Sequence, residues 1–110
     1  MLSKSRRLRL TRDFERVFSK GRVVNGGLFK LRILKNTFNF SRFAVVVSTK
    51  VSKRAVIRNR LRRRVWSIIA KNIYILPNNL DVVFVALPEA SQANFLETQR
   101  EVNYLLKKFS

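Results

Sequence analysis

The side chains of this 110-residue chain that could do chemistry are nearly all cations. Between positions 50 and 71 stand Lys50, Lys53, Arg54, Arg58, Arg60, Arg62, Arg63, Arg64 and Lys71, with no Asp or Glu among them. Arginine at this density suits two-pronged contact with phosphates and stacking on bases. Asn59, set between two arginines, carries an amide that can hydrogen-bond a base edge or a ribose hydroxyl. A basic run kept for solubility normally mixes Glu with Lys, so the missing acids make a polyanion the expected partner. Proton transfer and nucleophilic attack lack their usual carriers. The chain has no His and no Cys, which removes the commonest general base, the thiolate nucleophile and the usual zinc ligands. Asp13, Glu15, Asp81, Glu89, Glu97 and Glu101 are scattered. They read as helix-start and strand-end groups, with no pair at metal-site spacing. No catalytic and no metal-ligating residue is expected in the protein.

The charge is polarised as well as large. The formal net charge is +18, from 24 Lys and Arg against 6 Asp and Glu. Residues 1–12 hold five basic side chains and no acid, whereas residues 81–110 hold four acidic and three basic ones. A field this one-sided points first to nucleic acid and second to anionic lipid. With 46% apolar residues the chain has enough to bury a core, and its length fits one domain, 1–110, whose residues 1–10 read as a basic N-terminal arm. The longest apolar runs, Phe43 to Val47 and Val82 to Leu87, fall far short of the roughly 20 residues a spanning helix needs. The N-terminus lacks the apolar stretch of a signal peptide, so a cytoplasmic location without membrane contact is expected.

Local pattern sets the elements that must carry these groups. Thr11 is placed to cap a short helix with Asp13 and Glu15 in its first turn, ended by Gly21, and Phe14, Val17 and Phe18 share one face. Phe29, Leu31 and Ile33 alternate with Lys30 and Arg32, as in a half-exposed strand. Asn36 to Ser41 reads as a turn. The unbroken run Phe43 to Val47 reads as a central strand covered on both faces. A helix is predicted from Ser52 or Lys53 to about Lys71, where no Gly or Pro intervenes. Ile57, Leu61, Val65 and Ile68 form its narrow apolar stripe, and the arginines occupy the rest. Arginines four apart repel, so this row is locally unfavourable and fits a surface that meets negative charge. Pro77, Asn78 and Asn79 mark a loop, Val82 to Leu87 a buried strand stopped by Pro88. Asn94 with Glu97 forms a capping box ahead of a closing helix whose stripe is Phe95, Thr98, Val102, Leu105, Leu106 and Phe109. Trp66 lies off the stripe and receives no role.

The stretch VSTKVSKRAVIRNRLRRRVW resembles the signature of the bacterial ribonuclease P protein subunit, whose Arg-Asn-Arg core matches Arg58, Asn59 and Arg60, followed by Arg62 and Arg63. Asp13, Phe14, Val17, Phe18 and Gly21 resemble the family's first helix, and Ala90, Ser91 and Glu97 its C-terminal pattern. The resemblance implies an α/β (α+β) two-layer sandwich in the order α-β-β-β-α-β-α. Its four-stranded mixed sheet would carry a left-handed βαβ crossover through the basic helix, against the usual right-handed rule. It further implies an RNA-binding subunit of a ribonucleoprotein endonuclease that removes the 5′ leader of precursor tRNA. In that reading catalysis belongs to the RNA subunit with Mg2+, the protein binds no cofactor, and no obligate protein partner is needed. By similarity Lys50, Lys53, Arg54, Arg58, Asn59, Arg60, Arg62 and Arg63 face the RNA, while Phe14, Phe18 and Arg32 line a cleft for the substrate leader. Arg32 stands where the family often has an aromatic residue, and Ser52 where it often has Gly. Two Phe four apart on a helix are core residues more often than stacking platforms. An rRNA-binding ribosomal protein is the alternative reading, and a stand-alone nuclease lacks ligands for its metal.

Overall fold

The computed structural model describes residues 6–73, 76–77 and 79–108. Its elements are α1 (Thr11–Lys20), β1 (Arg22–Asn25), β2 (Phe29–Lys35), β3 (Arg42–Val46), α2 (Ala55–Asn72), β4 (Leu80–Ala86) and α3 (Phe95–Lys107), with a 3-10 turn over Pro88–Gln92. This is the expected α-β-β-β-α-β-α order in an α+β fold. The strands form one mixed sheet in the order β1-β2-β4-β3. β1 and β2 are antiparallel, as are β2 and β4, whereas β3 runs parallel to β4, its neighbour across the α2 connection.

Alternation in β2 sorts the two faces as its sequence predicts. Phe29, Leu31 and Ile33 join Phe43, Val82, Phe84 and the buried sides of α2 and α3 in the main core. The opposite face is covered by α1 and the N-terminal arm through Leu8, Val17, Ala44 and Val83. Leu61, Val65 and Ile68 of the α2 stripe are buried as expected, with Ile69 beside them, and Ile57 is half-buried. The capping box forms as read, Asn94 and Glu97 exchanging side-chain and backbone hydrogen bonds. Thr98, Val102, Leu105 and Leu106 are buried, Phe95 is largely exposed, and Phe109 and Asn78 lie outside the described residues.

Several expectations need correction. The Phe43 to Val47 run is an edge strand, and the inner positions belong to β2 and β4. An unbroken apolar run reports two covered faces, not a place in the strand order. The free edge of β3 is partly paired by the arm, through a parallel bridge between Arg7 and Phe43 and a hydrogen bond from Leu8 N to Phe43 O at 2.8 Å. Thr11 is the first helical residue and not the cap. Leu10 takes the cap position of α1 without a side-chain bond. The helix stops at Gly21, where a Cβ would collide with the Val17 carbonyl oxygen. α2 starts later than predicted, at Ala55, because Ser48 and Ser52 fold the preceding chain into turns, accepting from the backbone N–H of Lys50 and Arg54.

One acidic group of α3 does more than cap. Glu101 on α3 reaches the β1–β2 hairpin and accepts the backbone N–H groups of Gly27, Leu28 and Phe29 at 2.8, 2.6 and 2.7 Å. Glu101→Gln removes the charge and turns an N–H2 toward backbone donors. A loss of about 1.5–3 kcal/mol is expected, read as a lower urea midpoint at unchanged m-value.

Candidate nucleic-acid interface

α2 is held by its apolar stripe and turns the remaining circumference outward. Asn59, Arg60 and Arg63 are exposed, and Arg58, Arg62 and Arg64 are half-buried. Lys50, Lys53 and Arg54 are exposed on the connection that leads into the helix. Among the described residues every ion pair involves Arg16 or Arg42 with Asp13 or Asp81. Among the described residues, therefore, no carboxylate forms an ion pair with the α2 ridge. Its internal contacts are few. Arg58 donates to the Ser52 carbonyl at 2.9 Å, Arg62 donates to the Asn59 side-chain oxygen, and Arg64 lies 5.8 Å from the Phe95 ring centroid.

The start of α2 sharpens the polarity. There is no acidic residue in its first turn and no side-chain cap, so free backbone N–H groups and the positive helix end add to the field of Lys53 and Arg54. Such an end is suited to phosphate oxygens.

The opposite face of the sheet carries the second group of predicted residues, and the structure brings two of them, Phe18 and Arg32, together. Arg32 of β2 reaches back to α1, where its guanidinium lies 5.4 Å from the Phe18 ring centroid and donates to the Phe18 carbonyl at 3.1 Å. Phe18 is 39% exposed, whereas Phe14 is half-buried against the smaller core. Beside them the register aligns Lys30, Val85 and Val46 across three strands, all half-buried. These three form a mixed apolar and basic floor, which strand alternation alone does not distinguish from any other half-exposed sheet face. The Ser48 to Arg54 connection leaves the sheet just beyond Val46, so Lys50 and Lys53 follow the end of the sheet where that floor lies.

α1 is fixed over this floor by a network invisible in sequence spacing. Asp81, fully buried, accepts from Arg42 at 2.7 and 2.9 Å and from the Asn36 amide at 2.9 Å. Arg42 also meets Asp13 of α1 at 3.3 Å, and Arg16 of α1 approaches Asp13 at 3.7 Å and Asp81 at 3.5 Å. Hydrogen bonding to Asp81 raises the Arg42 pKa above its ordinary value. Burial opposes this, and the charges of Asp81 and Asp13 add to it. Asp13 and Asp81 are thus joined to arginines rather than acting as plain helix and strand-end acids. No group of three or more His, Cys, Asp or Glu suited to a metal ion occurs among the described residues, and no described helix is long and apolar enough to cross a membrane.

Fold and charge layout together define a small basic α+β domain with one arginine-rich helix left unneutralised on its surface. The Ribonuclease P family model matches residues 2–110, and the chain belongs to that family. The ribonuclease P protein component of Pseudanabaena sp. is 36% identical over 110 residues, covering 98% of this chain and 94% of its own length. That of Alkaliphilus oremlandii is 34% identical over 104 residues, covering 94% and 90%. The RNase P protein from Thermotoga maritima superposes with a TM-score of 0.85 at 30% identity, covering 94% of this chain and 97% of that one. The Staphylococcus aureus RNase P protein, at 24% identity and a TM-score of 0.90, covers 97% and 100% and shares the fold.

Proposed function

We propose that the chain is the RNA-binding protein subunit of ribonuclease P and assists a catalytic RNA in removing the 5′ leader from precursor tRNA. The observation that carries this is the α2 ridge, a row of arginines that repel one another and form no ion pair with a carboxylate among the described residues. Phosphate oxygens reverse the sign of that repulsion. Arg58, Asn59, Arg60, Arg62 and Arg63, with Lys50, Lys53 and Arg54 at the helix start, form the RNA-facing set. Phe14, Phe18 and Arg32, over the floor of Lys30, Val46 and Val85, form the leader cleft. An apolar floor edged by cations can follow a single strand, stacking its bases and neutralising its backbone.

In this reading the protein supplies no catalytic group, and Mg2+ belongs with the RNA. The contribution of the protein is positional: ridge and cleft lie on opposite faces of one sheet, so RNA subunit and substrate are held apart at a fixed distance. The test mixes the protein with an RNase P RNA at low magnesium and measures precursor tRNA cleavage with and without it. Stimulated cleavage at the mature 5′ end is expected. Recovery with ribosomal subunits and no effect on cleavage would instead favour a structural role in ribosomes, which the family assignment does not favour.

The cleft yields its own prediction. Phe18→Ala removes the exposed ring and the partner of Arg32. The KM for a leader-bearing precursor is expected to rise roughly tenfold, while affinity for the RNA subunit alone stays unchanged, as measured by single-turnover kinetics and by titration of the RNA.

A further inference from the structure

Between the N-terminal arm and the flank of α2 lies a recess of about 700 Å³ that borders the ridge at Asn59, Arg62 and Arg63 and adds Arg7, Trp66 and Lys71, which the ridge-and-cleft reading leaves unused. Its α2 wall is a single stripe running from Asn59 through Arg62, Arg63 and Trp66 to Lys71, and Arg7 closes the other side. The arm is held there by its bridge to the edge of β3. Trp66 is half-buried with part of its indole packed on the main core, so the ring is anchored. The Arg7 guanidinium lies 4.9 Å from its centroid. The Arg7 Nε is buried and has no hydrogen-bond partner. The Asn59 side-chain oxygen accepts from Arg62, and its N–H2 makes no hydrogen bond among the described residues. No carboxylate lines the recess among the described residues.

We propose that this recess is a nucleotide pocket, in which one unstacked base of the RNA partner lies against Trp66 while its phosphates are met by Arg62, Arg63 and Lys71. The proposal rests on the ridge binding RNA and deepens that reading. Backbone contact alone needs only exposed cations. A fixed indole ringed by four cations and an amide donor matches a flat π-system with an anionic appendage. Asn59 is placed to donate to a carbonyl oxygen or ring nitrogen on the base edge, and the volume is within the range of small-ligand sites. Stacking on an aromatic ring tolerates any base, so the pocket selects for an unpaired nucleotide more than for sequence.

Trp66 is the only tryptophan in the chain, so its fluorescence reports on this site directly. The full chain is titrated with a short single-stranded oligoribonucleotide, with a fully paired RNA duplex, and with an abasic oligomer of equal charge. Quenching is expected with the single strand and not with the other two, and Trp66→Leu, whose affinity is read by filter binding because it has no tryptophan, is expected to weaken single-strand binding roughly tenfold without changing the salt slope. Trp66→Phe, which retains a ring, is expected to keep most of the affinity and guards against loss of packing in the leucine variant. Equal quenching by abasic and normal strands, or unchanged affinity for a folded Trp66→Leu protein, overturns the pocket. Failure of the ridge reading is separable, since it appears as an unaltered salt slope when Arg58 and Arg60, ridge arginines outside the recess lining, are removed.

Discussion

Asp81→Ala is expected to destabilise the protein by about 3–5 kcal/mol, the range for removing one partner of a buried ion pair. Asp81 is fully buried, yet two guanidinium groups and the Asn36 amide converge on it. Removing it leaves Arg42, only 13% exposed at its side chain, with the longer contact to Asp13 and the face of Phe38 at 4.6 Å. For a domain of this size the melting temperature should fall by roughly 10–20 °C. Because total stability in such domains is about 5–15 kcal/mol, a large part of it is at stake. Replacing Arg42 and Asp81 together by apolar residues of similar volume should cost less than Asp81→Ala alone, since no charge is then stranded. The network also ties α1 to the sheet through Asp13 and Arg16, so leader binding should weaken in Asp81→Ala at temperatures where the protein remains folded. A melting temperature within a degree or two of the parent would show that these groups are solvated in the folded state.

What could be read in the sequence was whatever repeats over short distances. The β2 alternation, the α2 stripe and the Asn94–Glu97 box each depend on residues within a few positions of one another, and each appears in the structure. The cationic helix was equally legible, because what matters there is the missing Asp or Glu, which a sequence states outright. Long-range pairing left no such trace. Glu101 meets Gly27 across 74 positions and Arg42 meets Asp81 across 39, so neither spacing carries a period. Strand order failed for the same reason: β3 looks internal from its own residues, and only the arm at Arg7 and Leu8 explains how an edge strand is covered. Trp66 fell outside every pattern because its partner Arg7 lies in a different segment.

Neutralising the ridge should act on RNA binding and on stability in opposite directions. In Arg60→Gln/Arg62→Gln/Arg63→Gln three cations are lost from the solvent side of α2, with only the Arg62–Asn59 bond removed from the contacts within the chain. Like charges three and four apart are thereby relieved, so the free protein should be unchanged or more stable, by up to about 1 kcal/mol. RNA assembly should weaken by orders of magnitude at moderate salt, and the log–log salt slope should flatten by roughly two to three units if each arginine holds one phosphate. The two readouts separate the explanations. A structural role for these arginines lowers the melting temperature and leaves the slope alone. A role confined to solubility changes neither, while lowering the concentration at which the protein precipitates. Only a phosphate-facing ridge leaves stability intact and removes salt-sensitive binding, because its favourable partner arrives with the RNA.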